Sequence, residues 1–222
     1  MIELPAYFFI QIKWLPIVVL WLVYFTAVFS YYSYAAPRVF NFRFLAILTV
    51  VVRFLYAAIL SALQYYVWSG QELTRILINS PLSSEVPLSN FLRGILGSVL
   101  DSNLGYFLFY SWGHFWVGVL LSIFIAFCFY AFLRALRKYN DRFFYEDETE
   151  LGLLLALIVG WPNFVIFVPL IFLAVVLVSI FRGIYFKEAY TTLGAPMLLA
   201  ALLTMIFGSS LIKFLGLTVL RI

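Results

Sequence analysis

Long runs of uncharged, apolar residues constrain this chain more than any other feature. Residues 14–34 contain 21 consecutive residues without a charged side chain, and residues 151–181 contain 31. A helix of 21 residues rises about 31 Å, which matches the roughly 30 Å of hydrocarbon in a bilayer. Hydrophobic residues make up 65% of the chain and charged residues 11%, whereas a soluble domain has about 45–50% apolar and about 25% charged residues. These features exclude an ordinary soluble globule and predict an integral membrane protein.

The shortage of cysteine and histidine excludes several kinds of site. Cys128 is the single cysteine and His114 the single histidine, so an intrachain disulfide, a CxxC pair and an HExxH zinc site cannot form. The phosphate-binding pattern GxxxxGKS/T does not occur in the sequence. We therefore predict no metal site and no cofactor. The net charge of +4 is expected in loops beside anionic headgroups, so the predicted partner is the lipid bilayer and not nucleic acid.

The apolar runs predict an all-α transmembrane helical bundle of five to six spans, forming one membrane domain over residues 1–222. The run 151–181 would be about 46 Å long as a helix, which is too long for one upright crossing. Gly160-Trp161-Pro162 is expected to break it, because proline lacks an amide hydrogen and disfavours helix at the preceding residue. The predicted segments are spans 14–34, 44–68, 106–133, 162–181 and 192–215, a half-helix 151–160, a loop 69–105 with interfacial helical turns, and a charged loop 134–150.

Basic residues predict the orientation. If loops 35–43 and 134–150 face the cytoplasm, six Lys and Arg residues lie inside, whereas the loop 69–105 places two outside. The positive-inside rule favours this arrangement, and we expect the membrane to be a prokaryotic inner membrane. The counts near the C-terminus balance, so they leave open whether residues 151–181 cross once or twice.

Four segments occur in an order that resembles a known family. They are Ser-Tyr-Tyr-Ser-Tyr-Ala-Ala-Pro over 30–37, Tyr-Glu-Asp-Glu-Thr-Glu-Leu over 145–151, Gly-Trp-Pro over 160–162 and Leu-Gly-Ala-Pro over 193–196. This frame resembles the type IV prepilin peptidases and archaeal preflagellin peptidases, which are intramembrane aspartic proteases of the GxGD class. The resemblance implies a prepilin-peptidase-like bundle whose two catalytic carboxylates meet at the cytoplasmic ends of the spans.

The chain departs from this family at the catalytic positions. The resemblance puts the two aspartates at Ser30 and Glu148, and it puts the glycines of GxGD at Tyr145 and Asp147. An aspartic protease needs two carboxylates that share one proton, and a serine cannot replace one of them. We therefore predict a diverged homologue without a complete aspartyl pair, associated with a type IV pilus or with secretion-type processing.

Two alternatives remain open at this stage. The protein could be an active leader peptidase in which Glu148 is the surviving carboxylate. It could instead be a non-enzymatic membrane subunit or a transporter-like protein, in which case Ser30 and Glu148 need not be neighbours.

The acidic run that precedes residue 151 has two explanations. It consists of Glu146, Asp147, Glu148 and Glu150. Carboxylates are favoured at a helix N-terminus by the free amides and the macrodipole. The functional hypothesis is an acidic mouth that attracts the basic leaders of prepilin-like proteins through long-range steering. A divalent-cation site is disfavoured because the sequence fixes no second group of ligands.

Arg53 is the one charged residue inside the second apolar run. Ionisable groups inside a span often face a polar cavity and pair with another charge. We expect Arg53 either to line a polar pocket and pair with Glu148 or Glu150, or to extend its side chain towards the membrane surface.

Overall fold

The computed structural model describes residues 6–33, 41–83, 86, 94, 97–139, 147–185, 187 and 192–220. All the regular elements in these ranges are helical. They are α1 (Ala6–Tyr32), α2 (Phe42–Ser69), α3 (Glu72–Ile78), α4 (Gly105–Ser111), a π-helical segment (Trp112–Trp116), α5 (Val117–Tyr139), α6 (Glu148–Val159), α7 (Phe164–Tyr185), α8 (Gly194–Phe214) and a 3₁₀ turn (Leu217–Leu220).

Five helical stretches in the described part of the chain are long and apolar enough to cross a bilayer. They are Trp14–Tyr32, Phe42–Ser69, Gly105–Tyr139, Phe164–Tyr185 and Gly194–Phe214. The expected half-helix is α6, whose 12 residues rise only about 18 Å and fall short of the roughly 30 Å hydrocarbon core. The regular structure of the described residues is therefore entirely helical, with five candidate spans, as in an integral membrane protein.

The chain divides into two compact units. The first comprises Met1–Arg53 and Leu121–Arg221, and the second comprises Phe54–Leu120. The two divisions fall inside α2 and inside α5.

Helix α6 forms the centre of the first unit. It packs against α1, α7 and α8, and all of its residues except Leu153 are buried. A helix without a polar face can be enclosed on all sides by other helices, and its apolar side chains then pack against theirs. Gly152 allows this close packing, because a Cβ atom there would collide with the Leu133 side chain of α5 and lie 3.4 Å from the Met197 sulfur of α8.

The predicted break between residues 151 and 181 is present. Helix α6 ends at Val159, and Gly160 follows with φ of 63°, a left-handed conformation that glycine adopts without strain. The amide of Trp161 donates to Ser122 Oγ at 2.9 Å, and its indole N–H donates to the Leu220 carbonyl at 2.9 Å. These bonds hold the chain in place before it enters α7.

The second unit contains α3, α4 and the π-helical segment. Ser61 of α2 accepts hydrogen bonds from the Ser111 hydroxyl at 2.7 Å and from the Trp116 indole at 3.1 Å. The Tyr110 ring stacks on His114, with centroids 5.2 Å apart. Polar side chains in this unit therefore bond to one another between apolar helices.

Candidate functional site

A hydrogen bond joins the end of α1 to the start of α6. The Tyr31 hydroxyl donates to Glu148 Oε1 at 3.0 Å. Glu148 is only 2% exposed, although it is the first residue of α6. A buried carboxylate is expensive unless it is hydrogen-bonded or paired, so the phenol of Tyr31 is part of what makes this position possible.

Helix α8 also begins at this carboxylate. A Cβ atom at Gly194, the first residue of α8, would collide with Glu148 Oε1 and with the Tyr31 ring. The Glu148 carboxylate therefore lies against the N-terminal turn of α8 as well as in that of α6. The positive ends of both helix dipoles favour a negative charge there.

The second carboxylate of α6 forms an ion pair with α2. Arg43 Nε donates to Glu150 Oε1 at 2.5 Å, with the arginine side chain 68% exposed and the glutamate side chain 11% exposed. The Asn41 side chain accepts a hydrogen bond from the Arg43 amide at 2.9 Å and so caps the start of α2. This cap orients the first turn of α2, from which Arg43 reaches Glu150.

Two hydroxyl groups close to this site in the sequence are buried without a hydrogen-bond partner among the described residues. Ser30, the residue before Tyr31, is 4% exposed, and its hydroxyl has no hydrogen-bond partner among the described residues. The Thr192 hydroxyl, two residues before Gly194, is also buried and has no hydrogen-bond partner among the described residues. The residue that is hydrogen-bonded to Glu148 is Tyr31. Position 30, to which the resemblance assigns the other catalytic aspartate, holds a serine.

The acidic residues of the predicted mouth lie at the start of α6 or before it. Asp147 immediately precedes α6, and its side chain makes no capping hydrogen bond to that helix. Glu148 and Glu150 occupy the first turn, where the macrodipole favours them. Glu146 and Tyr145 lie outside the described residues.

Arg53 lies at the opposite end of α6 from the carboxylates. Its Nη2 donates to the Ile158 carbonyl at 3.0 Å, and a Cβ atom at Gly160 would collide with its guanidinium group. The expectation that Arg53 pairs with Glu148 or Glu150 is therefore wrong, because α6 separates the two ends by about 12 Å or more at 1.5 Å per residue. A cation at the negative end of the α6 dipole is favourable.

Sequence reasoning missed three residues of this site. Tyr31 is one residue of the segment 30–37, Arg43 enters only the count of basic residues that predicts orientation, and Gly194 is one residue of the segment 193–196. The adjacency of Tyr31 to Ser30 was the available signal. Nothing in a single sequence shows the register that brings Arg43 to Glu150.

The site has limited chemical capacity. It holds one buried carboxylate bonded to a phenol and one carboxylate paired with an arginine. Among the residues that the structure describes, no group of three or more His, Cys, Asp or Glu side chains is placed to hold a metal ion. The arrangement can hold charges and orient helix ends. Among the described residues, it contains no pair of carboxylates that share a proton.

The fold and the site define an all-helical integral membrane protein with a buried carboxylate where three helix ends meet. When the chain is compared with protein-family models, characterised proteins and solved structures, no match is found.

Proposed function

We propose that this integral membrane protein has the helix arrangement of a prepilin peptidase core, lacks the aspartyl pair, and binds prepilin-like proteins without cleaving them. Its setting would be a type IV pilus or a related secretion apparatus. The observation that supports this proposal is the Tyr31–Glu148 hydrogen bond. It joins the end of α1 to the start of α6, at Glu148, one of the two positions to which the resemblance assigns the catalytic aspartates, and one residue after Ser30, the other.

The chemistry of these side chains argues against aspartic proteolysis. In that mechanism one carboxylate activates water while the other, protonated, donates to the scissile amide. Glu148 accepts a hydrogen bond from the phenol of Tyr31, and a phenol is not the second carboxylate that this mechanism requires. Glu150 is held by Arg43, so it is not available as a substitute.

The same contacts narrow the hypothesis of a leader-binding mouth. Arg43 already opposes the charge of Glu150, and Glu148 is buried. Asp147 is the most exposed described acid of the run, so we assign the attraction of a basic leader mainly to Asp147 and to Glu146. Steering of this kind acts over about 10 Å at ordinary salt concentration and weakens as salt is added.

A cleavage assay tests the loss of activity. The full chain in proteoliposomes would be incubated with a prepilin-like protein, and mass spectrometry would measure leader removal. We expect no cleavage by the wild type or by Glu148→Gln. Cleavage that Glu148→Gln abolishes and that the control Glu72→Gln in α3 retains would show instead an active peptidase built around Glu148.

A binding assay tests the partner. A labelled peptide that carries the basic leader and the following apolar helix would be titrated into the same vesicles. We expect Asp147→Asn combined with Glu146→Gln to weaken binding, and Glu72→Gln to leave it unchanged. If wild type shows neither binding nor cleavage, the association with prepilin-like proteins is wrong, and a subunit or transporter-like role takes its place.

A further inference from the structure

The short helix α3 presents three different faces. Leu73, Ile76 and Leu77 follow the i, i+3, i+4 spacing of one helix face, and all three are exposed, Leu73 to 83% and Ile76 to 65%. We call these three residues the apolar face of α3. Ile78 is buried on another side. The third side carries Glu72 and Arg75.

Hydrogen bonds to two neighbouring helices fix the position of α3 along the direction of the spans. The Thr74 hydroxyl donates to the Trp68 carbonyl at the end of α2, at 2.8 Å. The Tyr106 amide at the start of α4 donates to the Ser80 carbonyl, just after α3, at 3.1 Å. Because α2 and α4 both belong to candidate spans, α3 lies where one span ends and the next begins.

Aromatic residues mark this height as a membrane surface. The Trp68 ring stacks on Tyr106 with centroids 6.3 Å apart and lies 4.9 Å from the Tyr110 ring. Tyr65 and Tyr66 are exposed one turn earlier on α2. Trp and Tyr concentrate at the two interfaces of a bilayer, where their rings meet the headgroups.

The charged side of α3 fits the headgroup layer. Glu72, Arg75, Asn79 and Ser80 line an open groove beside the helix, and Ile76 of the apolar face borders it. Neither Glu72 nor Arg75 has a side-chain hydrogen bond or ion pair with the residues that the structure describes. An arginine that is open to the headgroup layer offers a planar set of donors suited to a phosphate.

We propose that α3 is an interfacial helix that lies in the plane of the membrane. Its apolar face inserts among the upper acyl chains, and Arg75 contacts phospholipid phosphates beside the groove. A helix of seven residues is far too short to cross a bilayer, whereas an amphipathic helix binds in the interface by burying its apolar face to about 5–10 Å. The partner is the lipid surface itself, and the proposal does not depend on the proposed role in pilus assembly.

The test places fluorophores on the two sides of α3. In a Cys128→Ala background, single cysteines at Leu73→Cys, Ile76→Cys and Arg75→Cys would carry a bimane label, and the full chain would be reconstituted in phosphatidylcholine vesicles. Quenching would be measured with lipids brominated near the carbonyl end of the chain and with aqueous iodide. We expect brominated lipid to quench the labels at 73 and 76 roughly twofold or more above the label at 75, with iodide giving the reverse order.

Two results would overturn the proposal. Equal iodide quenching at all three positions would place the apolar face in water, and protection of 73 and 76 from both quenchers would mean that protein covers it. A further experiment tests the role of Arg75. The substitution Arg75→Gln is added to the protein that carries the label at position 76. We expect this change to reduce lipid quenching at 76, and inorganic phosphate in the buffer to have no effect; a response to free phosphate alone would contradict the headgroup assignment.

Discussion

Helices α6 and α3 are both too short to span a bilayer, yet they have opposite surroundings. Helix α6 is almost wholly buried and has its two carboxylates bonded to Tyr31 and Arg43. Helix α3 exposes three large apolar side chains, and its charges are open to the surroundings. The difference follows from sequence pattern. A short helix without a polar face can be enclosed by other helices, as α6 is, whereas an amphipathic helix can lie at a boundary between two solvents.

Truncation of one leucine in each helix should give the largest difference. Leu154 in α6 is completely buried, so Leu154→Ala leaves a cavity and should lower the free energy of unfolding by about 2–4 kcal/mol. Leu73→Ala in α3 should change it by less than about 0.5 kcal/mol, as for other surface positions. Reversible unfolding of the reconstituted protein measures both. Similar losses at the two positions would contradict the contrast between the helices.

Glycine substitutions test the close approach at the buried carboxylate. Gly194→Ala places a Cβ atom against Glu148 and Tyr31, and overpacking of this kind costs about 1–3 kcal/mol. Gly183→Ala in α7 is the matched control, because a Cβ atom there meets nothing within 4 Å and alanine favours helix by about 0.5–1 kcal/mol. Opposite signs in the same unfolding assay support the described geometry, and a stabilising Gly194→Ala would refute it.

A double-mutant cycle on Arg43 and Glu150 should give the smallest effect. The arginine side chain is largely exposed, so solvent screens the pair and the expected coupling is about 0.5–1 kcal/mol, reduced by added salt. Combining Glu150→Gln with Lys213→Gln in the last turn of α8 provides the control, and its coupling should be near zero because α8 begins beside Glu148 and Lys213 lies at its other end. Coupling in the control as large as in the pair would mean that the cycle reports general electrostatics and not the contact.

The sequence is sufficient to predict the helical class and the break within residues 151–181. Long apolar runs and Gly160-Trp161-Pro162 act locally, through helix length and backbone geometry. The polar contacts are different, because they depend on how the helices rotate and in which register they pack. Arg43 and Arg53 are ten residues apart on α2, and they reach opposite ends of α6. The sequence predicts a paired charge at Arg53, because it lies inside a span. The arginine that pairs with a carboxylate is instead Arg43, in the first turn of α2.

The catalytic assignment of Ser30 and Glu148 comes from the resemblance alone and stays a prediction. Glu148 is buried at the start of α6, and the resemblance assigned it importance. Its observed partner is Tyr31, one residue from the serine that the resemblance indicated. One position along a helix rotates a side chain by about 100°, so an approximate alignment of a single sequence cannot specify which side chain faces the carboxylate.

The most direct test of the account measures proximity between the end of α1 and the start of α6. In a Cys128→Ala background, Tyr31→Cys with Glu148→Cys would be treated in native membranes with a short, membrane-permeant bifunctional thiol reagent. Tyr32→Cys with Glu148→Cys is the control, since Tyr32 is exposed on α1. The account predicts an intramolecular cross-link for 31 with 148 and much less for 32 with 148. No cross-link at 31, or equal cross-linking at both positions, would contradict the meeting of these helix ends and with it the proposed function.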